Sequence, residues 1–84
     1  MKIKFKLYAT LQHLLPAEAV DNAVEVEVPD QISLHEVIDK FQVPRKSAHL
    51  VLVNGTYFGD TDRDTPGLLS EGDVLAVWPP VAGG

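Results

Sequence analysis

From Lys2 to Tyr8 the side chains alternate strictly, with Lys2, Lys4 and Lys6 on one side and Ile3, Phe5 and Leu7 on the other. A period of two fits an extended strand with one buried and one wet face. The period returns in Val24-Glu25-Val26-Glu27-Val28, now with acidic residues in the polar positions. Paired antiparallel as a long hairpin, the two segments set Lys against Glu outside and gather Ile, Phe, Leu and Val inside. Each such charge pair contributes about 0.2–1 kcal/mol, enough to favour the register but not to make the fold. A sheet with one apolar face follows, and another part of the chain must cover it.

The cover is legible further on. Ser33-Leu34-His35-Glu36 is a capping-box pattern. Leu34, Val37, Ile38 and Phe41 then fall at i, i+3, i+4 and i+7, one apolar stripe on a helix that Pro44 is expected to end. Between the hairpin strands, Leu11, Leu14 and Leu15 predict a short helical turn before Pro16. After Arg45-Lys46, the run Leu50-Val51-Leu52-Val53 is apolar on both sides. Asn54-Gly55 is the strongest short hairpin signal and leads into a brief strand, Thr56-Tyr57-Phe58. A one-turn helix around Pro66 to Leu69 and a turn at Glu71-Gly72-Asp73 precede a last strand, Val74 to Trp78.

The expected class is α+β, a mixed sheet with one helix packed across one face. No second helix is available for the opposite face, to which Leu50–Val53 and Val74–Trp78 also offer apolar side chains. Exposed apolar surface of that kind marks protein interfaces.

Several activities are disfavoured. The 84 residues contain no Cys, so side-chain thiol chemistry and disulfides are absent. A net charge of −5 argues against nucleic-acid binding and favours a partner with a basic surface. No apolar run approaches a membrane span, and Met1-Lys2-Ile3-Lys4 does not open a signal peptide, so no membrane contact and a cytoplasmic location are expected. Asp60-x-Asp62-x-Asp64 with Glu71 imitates a calcium loop, but Thr65 stands where such a loop needs Gly, and a solvated acidic loop is the better reading. Asn54-Gly55-Thr56 reads as a turn in preference to a glycosylation sequon, and Gly67 and Gly72 lie too far apart for a phosphate loop. His13, His35 and His49 lack metal-ligand spacing and are assigned surface or capping roles; no metal is expected. No nucleophile has an adjacent base, so the chain is not expected to be an enzyme by itself.

The sequence ends Trp78-Pro79-Pro80-Val81-Ala82-Gly83-Gly84. Gly83 and Gly84 lack Cβ atoms and fit a channel too narrow for side chains. Pro79 and Pro80 fix φ and stiffen the base. A stiff stalk with a slim tip makes a probe for a partner's active site; the same residues also suit a frayed end. Trp78 is either a sheet-end aromatic or an interface anchor beside the tail, and the two roles are compatible.

The strand order, Gly72-Asp73-x-Leu75 and above all Pro79-Pro80-Val81-Ala82-Gly83-Gly84 resemble the MoaD/ThiS family of ubiquitin-like sulfur carriers, with the ending nearer the MoaD branch, the small subunit of molybdopterin synthase. The resemblance covers the whole chain. It implies a β-grasp domain over 1–78, with first and last strands parallel at the centre, and a flexible diglycine tail over 79–84. It also implies that a ubiquitin-activating-type, MoeB-like adenylyltransferase uses ATP to adenylate Gly84, after which a sulfur donor replaces AMP and leaves a thiocarboxylate. The carrier itself is expected to bind no cofactor. Its tail, Pro79, Pro80, Val81, Ala82 and Gly83, would enter a MoaE-like large subunit, and Gly84 would give its sulfur to a pyranopterin in molybdenum or tungsten cofactor synthesis. Trp78 would lie in the partner contact.

Two residues depart from the family pattern. Gln12 stands where an Arg is frequent in an aromatic-Ala-x-x-Arg-like stretch, and Trp78 replaces the commoner Phe. Relatives serve thiazole, amino-acid or tRNA sulfur supply, and the acceptor is chosen by the partner. A protein modifier acting through Gly84 and a plain β-grasp interaction module with an inert tail are the alternatives.

Overall fold

The computed structural model describes residues 1–80. Strands β1 (Lys2–Leu7), β2 (Ala23–Glu27), β3 (Leu50–Val53), β4 (Thr56–Tyr57) and β5 (Val74–Trp78) form one mixed sheet in the order β2-β1-β5-β3-β4. The hairpin register sets Lys2 opposite Glu27 and Lys4 opposite Glu25 outside, Ile3 opposite Val26 and Phe5 opposite Val24 inside. β1 and β5 run side by side and parallel at the centre, while β3 pairs antiparallel with both β5 and β4. With one α-helix among the described residues, α1 (Leu34–Lys40), this is the expected β-grasp arrangement.

Alternation decides the core. Ile3, Phe5 and Leu7 of β1, Leu75 and Val77 of β5, and Val51 and Val53 of β3 all point to the inner face and are buried there beneath Leu34, Val37 and Ile38 of α1. Phe41, just past the helix, stacks on Phe5 with centroids 4.5 Å apart.

The helix starts as its sequence requires. Glu36 N–H donates to Ser33 Oγ at 3.1 Å and Ser33 N–H to Glu36 Oε1 at 2.8 Å, a complete capping box in which the Ser33 cap is worth about 1 kcal/mol. It ends before Pro44 by another device. Gln42 takes φ of 61°, its N–H donates to Asp39 O and the Val43 N–H to Ile38 O. These are the two hydrogen bonds of a Schellman motif, made here without the usual glycine.

Loop chemistry follows sequence in most places. Asn54 and Gly55 both take positive φ, 49° and 87°, as a type I′ turn demands, and Leu11 is buried by the 3-10 turn Ala9–Leu14. The one-turn helix expected around Pro66 to Leu69 does not form: Pro66-Gly67 makes a turn with Gly67 at φ of 76°, and a 3-10 turn lies earlier, at Asp60–Asp62. Pro-Gly favours a tight reversal over a helical start, because Gly supplies the positive φ. Among the described residues no helix is long and apolar enough to cross a membrane.

Candidate functional site: the root of the C-terminal segment

β5 is a central strand, and its last residue, Trp78, stands at the end of the sheet beside the end of β1. The indole stacks on Tyr8 with ring centroids 4.3 Å apart and planes 4° from parallel. An offset aromatic stack of this type adds about 0.5–1.5 kcal/mol to what burial alone supplies. Lys6 Nζ lies 5.5 Å from the Tyr8 centroid on the open face. Backbone bonds fasten both neighbours: Tyr8 N–H donates to Val77 O at 3.1 Å, and His49 N–H to Trp78 O at 3.0 Å.

Pro79 is half-buried and Pro80 exposed. Neither has an N–H, so the sheet ladder cannot continue through them. Val81, Ala82, Gly83 and Gly84 lie outside the described residues. Of the tail positions named from sequence, the structure therefore brings together Trp78, Pro79 and Pro80 alone.

Around Trp78 the open face is apolar. The register places Leu50 beside Trp78, and Leu52 between Ala76 and Tyr57. Leu50 is 36% and Tyr57 57% exposed, while Ala76 is covered by its neighbours yet stands apart from the core cluster under the helix. The sheet thus has an uncovered apolar half, as its two-sided hydrophobic strands predict. On β1 and β2 the same face carries Lys2, Lys4, Lys6, Glu25 and Glu27. Lys2 faces Glu27 and Lys4 faces Glu25 without closing an ion pair among the described residues, and Lys6 faces Ala23.

A second polar cluster lies beside the first turn of α1 and includes residues that sequence reasoning misplaced or missed. His35 is not a surface residue. It is buried, with Nδ1 2.9 Å from Asp64 Oδ1 and Nε2 3.6 Å from Asp60 Oδ1, the Nε2 atom having no hydrogen-bond partner. It occupies the helix face that packs against the 59–65 loop, a neighbour that helical periodicity does not reveal. His13 and His49 have exposed side chains, and Gln12 is exposed too. Arg63, never singled out, is 3% exposed inside what reads as a solvated acidic loop. Its only sequence signal is a lone cation among Asp60, Asp62 and Asp64, and those acids do not account for its burial. Backbone carbonyls do: Ala48, His49 and Phe58 all accept from its guanidinium. Asp60 and Asp64 stay exposed and face His35, and no three metal-ligating side chains converge among the described residues.

On the outer side of α1, Arg45 donates to Asp39 through Nη2 at 2.8 Å and Nε at 3.3 Å. The Arg45 hydrogen bond holds the Asp39 carboxyl below its ordinary range.

Among the described residues the arrangement offers no nucleophile and base in contact. It offers a fastened strand end, two prolines and a flanking apolar surface. Comparison with known proteins gives this geometry a context. The sequence pattern of the ThiS family matches residues 6–84. No curated protein matches the chain significantly. Among solved structures, small archaeal modifier protein 1 (SAMP1) from Haloferax volcanii is similar over the full length of both chains at 23% identity and a TM-score of 0.67. A protein described as molybdopterin converting factor, subunit 1, from Pyrococcus furiosus is 26% identical with a TM-score of 0.64, over 95% of this chain and 98% of its own. The complex of subunits 1 and 2 of molybdopterin-converting factor from Helicobacter pylori contains a chain 18% identical with a TM-score of 0.60, again covering both chains in full.

Proposed function

We propose that this chain, which belongs to the ThiS family of ubiquitin-like sulfur carriers, is a cytoplasmic carrier that holds sulfur as a thiocarboxylate on Gly84 and gives it to a pterin in molybdopterin synthesis. The observation that carries the reading is the root of the tail. β5 ends fastened at Trp78, two prolines stiffen the exit, and the family pattern extends from there through Gly84. Pro79 and Pro80 give direction, Val81 and Ala82 length, and Gly83 slim access to a buried site.

The chemistry follows from the weakness of a carboxylate as an electrophile. A MoeB-like adenylyltransferase would join the Gly84 carboxylate to the α-phosphate of ATP, releasing pyrophosphate. A sulfur nucleophile then displaces AMP, and the new C–S bond leaves a thiocarboxylate. A MoaE-like large subunit would receive the tail and supply the catalytic side chains, as the two-subunit Helicobacter pylori assembly suggests by analogy. The apolar half-face with Trp78 is the docking surface for these partners.

The test is the intact mass of the protein after incubation with ATP, a cognate adenylyltransferase and a sulfur donor. An exchange of one oxygen for sulfur, mapped to Gly84 and lost when Gly84 is deleted, is the expected result. An unshifted mass with an enzyme active on its own carrier overturns the reading. The similarity to small archaeal modifier protein 1 keeps a second reading in view, in which the activated Gly84 forms an isopeptide bond. Lysine adducts on other proteins, carrying the Gly83-Gly84 remnant, distinguish it. Pterin as acceptor is tested separately by reconstitution with a MoaE-like subunit. Sulfur loading without pterin conversion points to a thiazole, amino-acid or tRNA acceptor, and a deletion of Gly83 and Gly84 without consequence points to an interaction module.

A further inference from the structure

Arg63 is buried in a place where no active-site reading employs it. Its Nε donates to Phe58 O at 2.9 Å, Nη1 to Ala48 O at 2.8 Å and more loosely to Asp60 Oδ1 at 3.4 Å, and Nη2 to His49 O at 3.2 Å. The three carbonyls lie outside the strands: Ala48 and His49 lead into β3, and Phe58 follows β4. A planar fork with five N–H donors can hold several carbonyls at fixed angles, which a lysine ammonium cannot. Arg63 also serves α1, since its own carbonyl accepts from His35 N–H at 2.9 Å, one of the orphan amides of the first helical turn. One residue therefore clamps the approach to β3 against the start of the helix.

The clamp ends at the tail. The N–H of His49, whose carbonyl Arg63 holds, donates to the carbonyl of Trp78 at 3.0 Å. Pro79 and Pro80 carry no N–H, so Trp78 is the last residue before them with a backbone donor, and its carbonyl is held by the His49 amide. Its carbonyl fixes the peptide plane on which Pro79 is mounted, and its ring is fixed separately against Tyr8. We propose that Arg63 is a positioning residue for the C-terminal segment, acting through the His49 amide to set the direction in which Pro79 and Pro80 leave the sheet. The proposal rests on the sulfur-carrier reading for its consequence, because direction matters only if the tail must reach a reaction centre.

The test separates backbone from side chain. His49→Pro deletes the amide that holds Trp78 O and keeps a carbonyl at every position that Arg63 holds, while pressing Ala48 from its ψ of 75° towards the extended range, whereas His49→Ala keeps the amide and removes an exposed ring. Arg63→Met removes the clamp itself, and Arg63→Lys restores charge without the fork. Each variant is assayed as the carrier in ATP–pyrophosphate exchange by the adenylyltransferase. Misplacement of a reacting group by about 1 Å costs up to roughly a hundredfold in rate, so His49→Pro is expected to lower kcat about tenfold while the KM for carrier stays within about twofold. His49→Ala is expected to match the original protein. Arg63→Met, where it folds, should follow His49→Pro, and Arg63→Lys should not rescue it.

Equal kcat in His49→Pro, or in an Arg63→Met variant shown to be folded, overturns the proposal. So does a rise in KM alone, which would mean lost docking, or an equal loss in His49→Ala. If the unaltered protein supports no exchange, the carrier reading fails, and the positioning claim is decided by 15N relaxation at the Trp78 amide. There an order parameter near 0.85 in the unaltered protein should fall towards roughly 0.6 in His49→Pro, and no change overturns the claim.

Discussion

The two halves of the open face are built from neighbouring strands and have opposite chemistry. On β1 and β2 the outward positions are lysine and glutamate, so that half is finished by water alone. On β5, β3 and β4 the outward positions are Leu50, Leu52, Tyr57, Ala76 and Trp78, and water is a poor finish for them. Both halves rest on the same inner core, so stability does not account for the difference. Strict alternation marks where a sheet meets solvent, and its loss over Leu50–Val53 and Val74–Trp78 marks where a second protein is expected to meet it.

The largest effect should come from the support common to both halves. Phe5 is fully buried against the helix and stacked on Phe41. Phe5→Ala is expected to cost about 3–5 kcal/mol in urea unfolding. At roughly 0.05–0.15 kcal/mol per residue, a domain of this length has only about 4–13 kcal/mol in all. A cost under about 1 kcal/mol would mean that the helix does not cover this face in solution.

Next comes the apolar half itself. Trp78→Ala loses the Tyr8 stack and should reduce stability by about 1–2 kcal/mol, while activation of the carrier by its adenylyltransferase falls at least about tenfold, the scale of a binding hot spot. Activation kinetics and urea unfolding measured on the same sample check both. Comparable losses from a change on the charged half would erase the distinction. Glu25→Lys supplies that comparison: it places a fourth positive charge on that face, directly opposite Lys4, and is expected to change stability by about 0.5 kcal/mol, with activation unaltered.

These contrasts show what the sequence makes legible. Periodicity and local turn chemistry are short-range codes, and they reveal the hairpin, the capping box of Ser33 and Glu36, Asn54-Gly55 and the uncovered apolar strands. Gln42 as helix terminator was hidden because Pro44 offered a louder stop signal two residues later. His35 and Arg63 were hidden for a different reason. Each is polar, and each is buried by partners far along the chain, Asp64 for His35, Ala48 and His49 for Arg63. No periodicity encodes a carbonyl fifteen residues away, so the clamp at the root of the tail becomes visible only in three dimensions. Gly83 and Gly84 are named from the Pro79-Pro80-Val81-Ala82-Gly83-Gly84 ending and its family resemblance, and they lie outside the described residues.

The smallest effect sharpens the comparison at the level of single charges. The hairpin's lysines and glutamates oppose each other without closing, whereas Arg45 and Asp39, both about half exposed, close through two hydrogen bonds. Their bond holds the Asp39 carboxyl below its ordinary range, with burial opposing and the Arg45 charge assisting. A carboxylate depressed in the folded state stabilises that state above the unfolded value, near 4, and the contribution disappears as pH falls through the lower folded value. Melting at neutral pH should therefore barely respond to Arg45→Gln, because exposed pairs are screened by solvent. The response belongs in acid: an NMR titration should show the Asp39 carboxyl protonating at higher pH in Arg45→Gln than in the unaltered protein. If Asp39 protonates at the same pH with and without Arg45, its pair is as open in solution as those of the hairpin, and the charges on this surface serve solubility throughout.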